Sequence, residues 1–482
     1  MIDNTTNCRT DNYYFDYIDS TNTIIKLDGR TYLFHAPDLR LFRIDKLTED
    51  VLKTFKQPPS AGTNFVSKMY PKEQVQKTLE KLKKSGVFDG ETAAQQAAYK
   101  NFDNESFIAP IKSLLLNLCH TCNLKCSYCY AGYGSYQGKS VHPFMSKSVA
   151  LKALDLYLDR LDQTHGIEII DFFGGEPLLN YNVLREAVRY ASKKMEERNR
   201  KIPFGITSNG LLLTKKYAQF LIRNNVKIML SLDGDKEIHD THRKTKNGRG
   251  SYQYIIRNVR PWLMKYPELF SARATITPDC LDLRRIYNHF KELGFKEYYV
   301  AMEYCSCEDN FLKWTDDIIK EYDRNYGIYI SQVLTDVLKG ERYGTTYILK
   351  DLDRLRRREK HVIPCQISRE MVVVTPNGDL YPCQRLTERE EFKIGTVFNG
   401  IDEQKRRTLA PALVFEKEIC KNCWARYLCG GGCPTASYLV NREDKYPDKW
   451  SCQSQMIAWK WKIWLYLELQ ESGFPMETLV SR

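Results

Sequence analysis

Three cysteines within eight residues, Cys122, Cys126 and Cys129, put thiols at x3 and x2 spacing. Thiolates so spaced can ligate three irons of one 4Fe-4S cube and leave the fourth iron open to another molecule. A zinc ribbon instead needs two cysteine knuckles separated by roughly 15–20 residues, which the three residues between Cys122 and Cys126 do not provide. Cys119 precedes the trio and is read as a strand residue outside the cluster, although spacing alone leaves other triads open. A second set comprises Cys365, Cys383, the run Cys420-x2-Cys423-x5-Cys429-x3-Cys433, and Cys452. A single tetrahedral zinc site built from Cys420, Cys423, Cys429 and Cys433 would leave Cys365, Cys383 and Cys452 without a use. Of the 15 cysteines, Cys8, Cys119, Cys280, Cys305 and Cys307 fall outside both sets. Clustered thiols in a reducing compartment hold metal more often than they form disulfides.

The elements that must position these thiols follow from pattern. At 482 residues the chain has room for about three domains, and 43% hydrophobic with 27% charged residues is globular composition that excludes wholesale disorder. No apolar run is long enough to span a membrane and no signal peptide is present, so a cytoplasmic protein is expected. The net charge of +12 permits an acidic partner without selecting one. Residues 1–20 read as a tail. A hairpin turning at Asp28-Gly29, a third strand through Leu39, Leu41 and Ile44, and a helix beginning after Pro71 make residues 21–100 a small strands-then-helices module. From residue 101 to 310, strands near 114–118, 167–173, 204–207, 226–232, 272–277 and 298–304 alternate with amphipathic helices. Six such alternations predict an α/β fold with a parallel sheet, open or a partial barrel, whose post-strand loops carry chemistry. Residues 311–364 read as a charged helical bridge. Residues 365–482 read as a small domain held by metal in place of a large apolar core.

The Cys122, Cys126 and Cys129 loop, with aromatic Tyr128 before its last cysteine, resembles the radical S-adenosylmethionine enzymes, whose fold is a partial (β/α)6 TIM-like barrel. Gly174-Gly175-Glu176-Pro177, one strand later, looks like that family's motif for the amino group of S-adenosylmethionine: glycines admit close backbone approach and a carboxylate pairs with an ammonium. The resemblance further implies cofactor contacts from Ser208 and Asn209, and from Ser231 and Arg273, at the ends of the next strands. It implies a 5'-deoxyadenosyl radical that takes hydrogen from substrate.

The seven later cysteines resemble the SPASM extension of peptide-modifying radical enzymes, which holds two auxiliary 4Fe-4S clusters and brings the expected total to three. By that pattern Cys420, Cys423, Cys429 and Cys452 complete one cluster, and Cys365, Cys383 and Cys433 give three ligands to the other. Its fourth ligand is left to Cys305, Cys307, water or, as the preferred reading, a substrate cysteine. The N-terminal module resembles the winged-helix-like RiPP recognition element, which binds the leader of a ribosomally made precursor peptide by strand addition. Winged helices also bind DNA, and the lysines near 81–84 suit either partner, but nucleic acid is the less expected of the two.

Together these resemblances imply a sactipeptide- or ranthipeptide-type maturase that joins a cysteine sulfur to a carbon of a precursor peptide, fed by an electron donor such as flavodoxin or ferredoxin. No side chain stands out as a general acid or base. Gln384 follows Cys383 where several relatives have His, which leaves the bond formed open. The alternatives are epimerisation, carbon–carbon crosslinking, sulfatase-type oxidation of Ser or Cys and, from another class, an iron–sulfur electron carrier or redox-sensing DNA-binding regulator.

Overall fold

A computed structural model describes residues 13–17, 21–54, 68–89, 111–136, 142–159, 169–302, 312–342 and 344–480, with single positions at 66, 97 and 99. Cys8, Cys305 and Cys307 lie outside the described residues. The chain divides into two compact units, one of residues 103–347 with 366–411, the other of residues 1–102, 348–365 and 412–482.

The first-named unit is built on an eight-stranded sheet. Strands β5 (Ser113–Cys119), β6 (Ile169–Gly174), β7 (Phe204–Ser208), β8 (Lys227–Ser231), β9 (Phe270–Ile276) and β10 (Glu297–Met302) lie side by side in chain order, all parallel. Strands covered on both faces read as continuous apolar runs, and residues 114–119 of β5 are all buried. Helices intervene where the periodicity places them. In Leu283–Leu293 the buried residues Leu283, Ile286, Tyr287 and Phe290 form one stripe. Asp282 caps its start by accepting from the Arg285 N–H at 3.0 Å.

Two strands extend this sheet beyond β5. Met371–Val374 (β11) pairs parallel with β5, and Leu380–Tyr381 (β12) pairs antiparallel with β11. These residues belong by sequence to the cysteine-rich C-terminal segment. They join the central sheet because Val373 and Tyr381 bury against Leu115, with Phe173 and Phe392 packed alongside.

In the other unit, β1 (Tyr13–Tyr17), β2 (Asn22–Leu27), β3 (Arg30–His35) and β4 (Arg40–Ile44) form an antiparallel sheet in that order. The expected hairpin is present. Leu27 pairs with Arg30, and Asp28 and Gly29 take φ of 46° and 74°, the left-handed pair of a type I′ turn. β1 adds a strand inside the segment expected to be a tail. Helices Lys46–Thr54 and Lys72–Lys84 cover one face of the sheet, burying Val51, Leu52 and Leu82 against Ile24 and Leu33. Phe34 meets Trp424 edge-on at 6.1 Å, so this sheet also packs on the cysteine-rich segment of its own unit. No helix among the described residues is long and apolar enough to cross a membrane.

Candidate active site

β5 ends at Cys119, and the chain turns directly into the loop bearing Cys122, Cys126 and Cys129. The loop is held from two sides. On one side lies the end of β6: Gly175 N–H donates to the Cys119 carbonyl at 2.8 Å and Glu176 N–H to the Thr121 carbonyl at 3.0 Å. A β-carbon on Gly174 would stand 2.4 Å from the Cys119 oxygen, and one on Gly175 2.1 Å from the Thr121 oxygen. The glycines of the Gly-Gly-Glu-Pro run therefore serve contact between two backbone segments of the protein, in addition to any approach to a ligand. Pro177 opens a short 3-10 turn, Pro177–Asn180, behind them. On the other side, Lys125 N–H donates to the Lys244 carbonyl at 2.7 Å and Ser127 N–H to the His242 carbonyl at 3.2 Å.

Cys119 stands apart from the loop's ligands. It is fully buried, and its thiol donates to the carbonyls of Glu176 at 3.0 Å and Thr121 at 3.4 Å. This matches its reading as a strand residue. Burial pushes the thiols of Cys122 and Cys126 up to about 12 and about 11, and the neighbouring cysteine charges push further the same way. The sulfurs thus sense one another, and a bound cation would reverse that cost.

Glu176 is 1% exposed. Its carboxylate accepts from Ser208 Oγ at 2.9 Å, Asn209 N–H at 2.8 Å and Leu178 N–H at 3.1 Å, tying the end of β6 to the end of β7. Burial raises its pKa to about 7, against the pull of those hydrogen bonds and of Arg243. The Asn209 amide donates to Asn123 Oδ1 at 2.7 Å and reaches Cys122 Sγ at 3.6 Å. Ser208, Asn209 and Glu176 are therefore one cluster with the cysteine loop. Ser231 ends β8 and pairs in register with Arg273, which lies in the middle of β9. Ser231 is half-buried and Arg273 exposed, and no side-chain hydrogen bond among the described contacts links either to the loop.

The sequence reading missed a buried pair beneath the loop. Asp233 and Arg243 are joined at 2.9 Å (Nε to Oδ2) and are 2% and 7% exposed. Tyr128 donates its hydroxyl to the same carboxylate, and Thr275 N–H donates to Oδ1 at 3.0 Å. Burial opposes ionisation of Asp233, but the Arg243 guanidinium and these donors hold its pKa below the ordinary carboxylate value. Arg243 Nη1 lies 3.9 Å from Cys126 Sγ, placing a fixed positive charge beside that sulfur. The Asp233-Gly234 turn at a strand end was the available signal for one partner; nothing local in sequence marks the other.

In the other unit, Cys420 opens a short turn, Cys429 ends the helix Arg426–Cys429, and Cys452 lies in the first turn of the helix Lys449–Glu471. Burial raises Cys452 well above its usual value, and the charges of Cys423, Cys429 and Cys420 add to that. Cys433 precedes the helix Pro434–Asn441. Cys365 is an exposed residue of this unit, and Cys383 follows β12 in the sheet unit. No group of three or more His, Cys, Asp and Glu side chains among the described residues is drawn tightly enough to hold a single metal ion.

Residues 116–263 match the model of the Radical SAM superfamily, which spans β5 to the helix after β8. This stretch is a radical SAM domain. The chain is 25% identical over 348 residues to a cysteine-type anaerobic sulfatase-maturating enzyme of Clostridium perfringens (strain 13 / Type A), covering 67% of this chain and 89% of that protein. The structure of native anSMEcpe with bound AdoMet superposes with a TM-score of 0.63 at 24% identity, over 75% of this chain and 99% of that one. Streptococcus suis SuiB bound to precursor peptide SuiA superposes with a TM-score of 0.50 at 14% identity, over 92% of this chain and all of that one. The parallel sheet β5–β10 is thus the α/β core of the radical SAM fold. Such a domain implies S-adenosylmethionine and a 4Fe-4S cluster, and the loop fits that cluster: three soft donors, a neighbouring guanidinium, and a glycine-lined support that admits no side chain.

Proposed function

We propose that the protein is a radical SAM enzyme that modifies a ribosomally made peptide, and that the modification is a thioether from a cysteine sulfur to a carbon. The observation that carries this reading is the union of the Cys122, Cys126 and Cys129 loop with the Glu176 cluster in one chain with a second buried thiol set. Three thiols at x3 and x2 spacing suit three irons of one cube better than a zinc ribbon, which needs two knuckles roughly 15–20 residues apart.

In this reading Cys122, Cys126 and Cys129 hold the cluster that binds S-adenosylmethionine, and together they supply one-electron chemistry that removes a substrate hydrogen atom. Glu176 takes the amino group of S-adenosylmethionine, with Ser208 and Asn209 fixing its carboxylate. Arg243 and Asp233 hold the far side of the loop. Ser231 would face the rest of the cofactor from the end of β8, whereas Arg273, exposed in the middle of β9, keeps that role by resemblance alone. Cys420, Cys423, Cys429 and Cys452 hold an auxiliary cluster. A thioether requires loss of one hydrogen atom, one thiol proton and one electron; a cluster held by these cysteines would supply an acceptor for that electron, and a flavodoxin- or ferredoxin-type donor would supply the first one. The precursor's leader would add to the outer edge of β4, unpaired among the described residues.

A second reading has a specific observation behind it: the similarity to a sulfatase-maturating enzyme over 348 residues favours oxidation of a Cys or Ser side chain. Mass spectrometry of a co-expressed precursor separates the two. A thioether removes two hydrogens, blocks thiol alkylation and links two residues in fragment spectra. Oxidation without a linked pair of residues would replace the thioether reading and keep the radical enzyme.

A further inference from the structure

A lysine is among the costliest side chains to bury, and it is almost never fully buried unless paired. Lys417 is nonetheless fully buried, three residues before Cys420. Its ammonium donates to Asp444 Oδ1 at 2.7 Å and to the Gly431 carbonyl at 3.2 Å, inside the Gly430-Gly431-Gly432 run that joins Cys429 to Cys433. The other Asp444 oxygen accepts from Ala412 N–H at 2.8 Å. A β-carbon on Gly431 would stand 3.1 Å from Lys417 Cδ, so the lysine stem lies flat against the loop. All of these residues, with Cys420, Cys423, Cys429 and Cys452, belong to one unit.

We propose that the Lys417–Asp444 pair sets the reduction potential of the auxiliary cluster held by Cys420, Cys423, Cys429 and Cys452, with Lys417 favouring the reduced state and Asp444 limiting that effect. The physical reason is charge. When such a cluster takes one electron, no bond is made and its net charge becomes more negative by one. A fixed cation in a low-dielectric wall stabilises that state, and a fixed anion opposes it. An apolar pair of equal volume would be at least as stable, so the ion pair's distinguishing product is its field at the sulfurs. That charge is held against the loop between two of the sulfurs: the ammonium lies 3.2 Å from the carbonyl of Gly431, which stands between Cys429 and Cys433. Lys417 is thus a positioning residue for electron transfer, touching neither substrate nor S-adenosylmethionine.

The inference rests on the cluster assignment above, and the test separates the two. Full-length protein carrying Cys122→Ala, Cys126→Ala and Cys129→Ala is reconstituted anaerobically and titrated electrochemically by electron paramagnetic resonance. The signal lost on adding Cys423→Ala identifies the cluster; if no signal is lost, the assignment fails and the inference with it. With the signal identified, Lys417→Met should lower the potential by about ten-fold in the reduced-to-oxidised ratio, about 59 mV for one electron. Asp444→Asn should raise it. The double variant should fall between them, and Lys417→Arg should restore the wild-type value. A structural role alone gives no such split in sign. Unchanged potentials, shifts of the same sign in both single variants, or loss of the cluster from all the variants would overturn the inference while leaving the cluster assignment to the Cys423→Ala result.

Discussion

The α-carbon of Gly175 faces the carbonyl of Thr121 so closely that a β-carbon would lie 2.1 Å from that oxygen. Both atoms of the clash are backbone, so no rotamer change relieves it. Gly175→Ala must push the end of β6 away from the cysteine loop and break the Glu176 N–H to Thr121 bond. We expect a loss of at least about 1–3 kcal/mol, the usual cost of forcing atoms into a packed interior. Iron content on anaerobic reconstitution should also fall by about four per chain, the content of the one four-iron cluster that this loop would hold. Full iron content with unchanged stability would show that the loop does not depend on this contact.

The buried Asp233–Arg243 pair predicts a second outcome. Removing one partner of such a pair leaves an uncompensated buried charge and typically costs about 3–5 kcal/mol. Arg243→Leu should therefore destabilise the iron-free protein in urea far more than the double variant Arg243→Leu, Asp233→Leu. The double variant, not the single one, should also free the Tyr128 hydroxyl from its Asp233 acceptor. Equal losses in the single and double variants would mean that the pair's charge coupling is negligible. Arg243→Lys would not be conservative, because Nε binds Asp233 while Nη1 reaches Cys126, a fork that an ammonium cannot reproduce.

What the sequence made legible, and what it did not, divides along physical lines. Strands β5 to β10 were placed within about two residues by continuous apolar runs, and helices such as Leu283–Leu293 by their stripe, because burial imposes those periods. The short helices Lys46–Thr54 and Lys236–His242 were missed, being too brief for a period to register. β11 was missed as a sheet member because pairing between residues 371 and 113 leaves no local trace. The cysteine loop after β5 and the Gly174-Gly175-Glu176-Pro177 run at the end of β6 were legible through spacing, and the structure brings them together. Arg243 was not, since its partners are a carboxylate ten residues away and a thiolate 117 residues away. The reason for Gly175 became visible only once Thr121 lay against it.

Glu176 predicts a pH dependence of unusual sign. Its folded pKa of about 7 lies above the ordinary 4.5, so between those values the folded chain binds more protons than the unfolded one. Stability from this group is fully present below pH 4.5 and is lost as pH rises through about 7, the reverse of a salt-bridged carboxylate. At about 1.4 kcal/mol per pKa unit the loss is on the order of 3 kcal/mol. Urea denaturation of the iron-free protein between pH 5 and 8 should show this decline, and Glu176→Gln should flatten it. A parallel decline in the variant would assign the slope to other groups.

Phe34 links the N-terminal sheet to the cysteine-rich segment of the same unit. It is fully buried and its ring meets Trp424 edge-on, and Trp424 directly follows Cys423. Truncating a buried phenylalanine costs about 3–5 kcal/mol, with roughly 0.5–1.5 kcal/mol more for the aromatic pair. Phe34→Ala should therefore do more than loosen the sheet. By removing the support behind Trp424 it should make the auxiliary cluster at Cys423 easier to lose, measured as faster iron release to a chelator at a temperature where the chain remains folded by circular dichroism. Phe34→Leu, which keeps most of the buried volume, should release iron at close to the wild-type rate. Identical release rates for Phe34→Ala and wild type would mean that the N-terminal sheet and the cysteine-rich segment share a core without sharing a function.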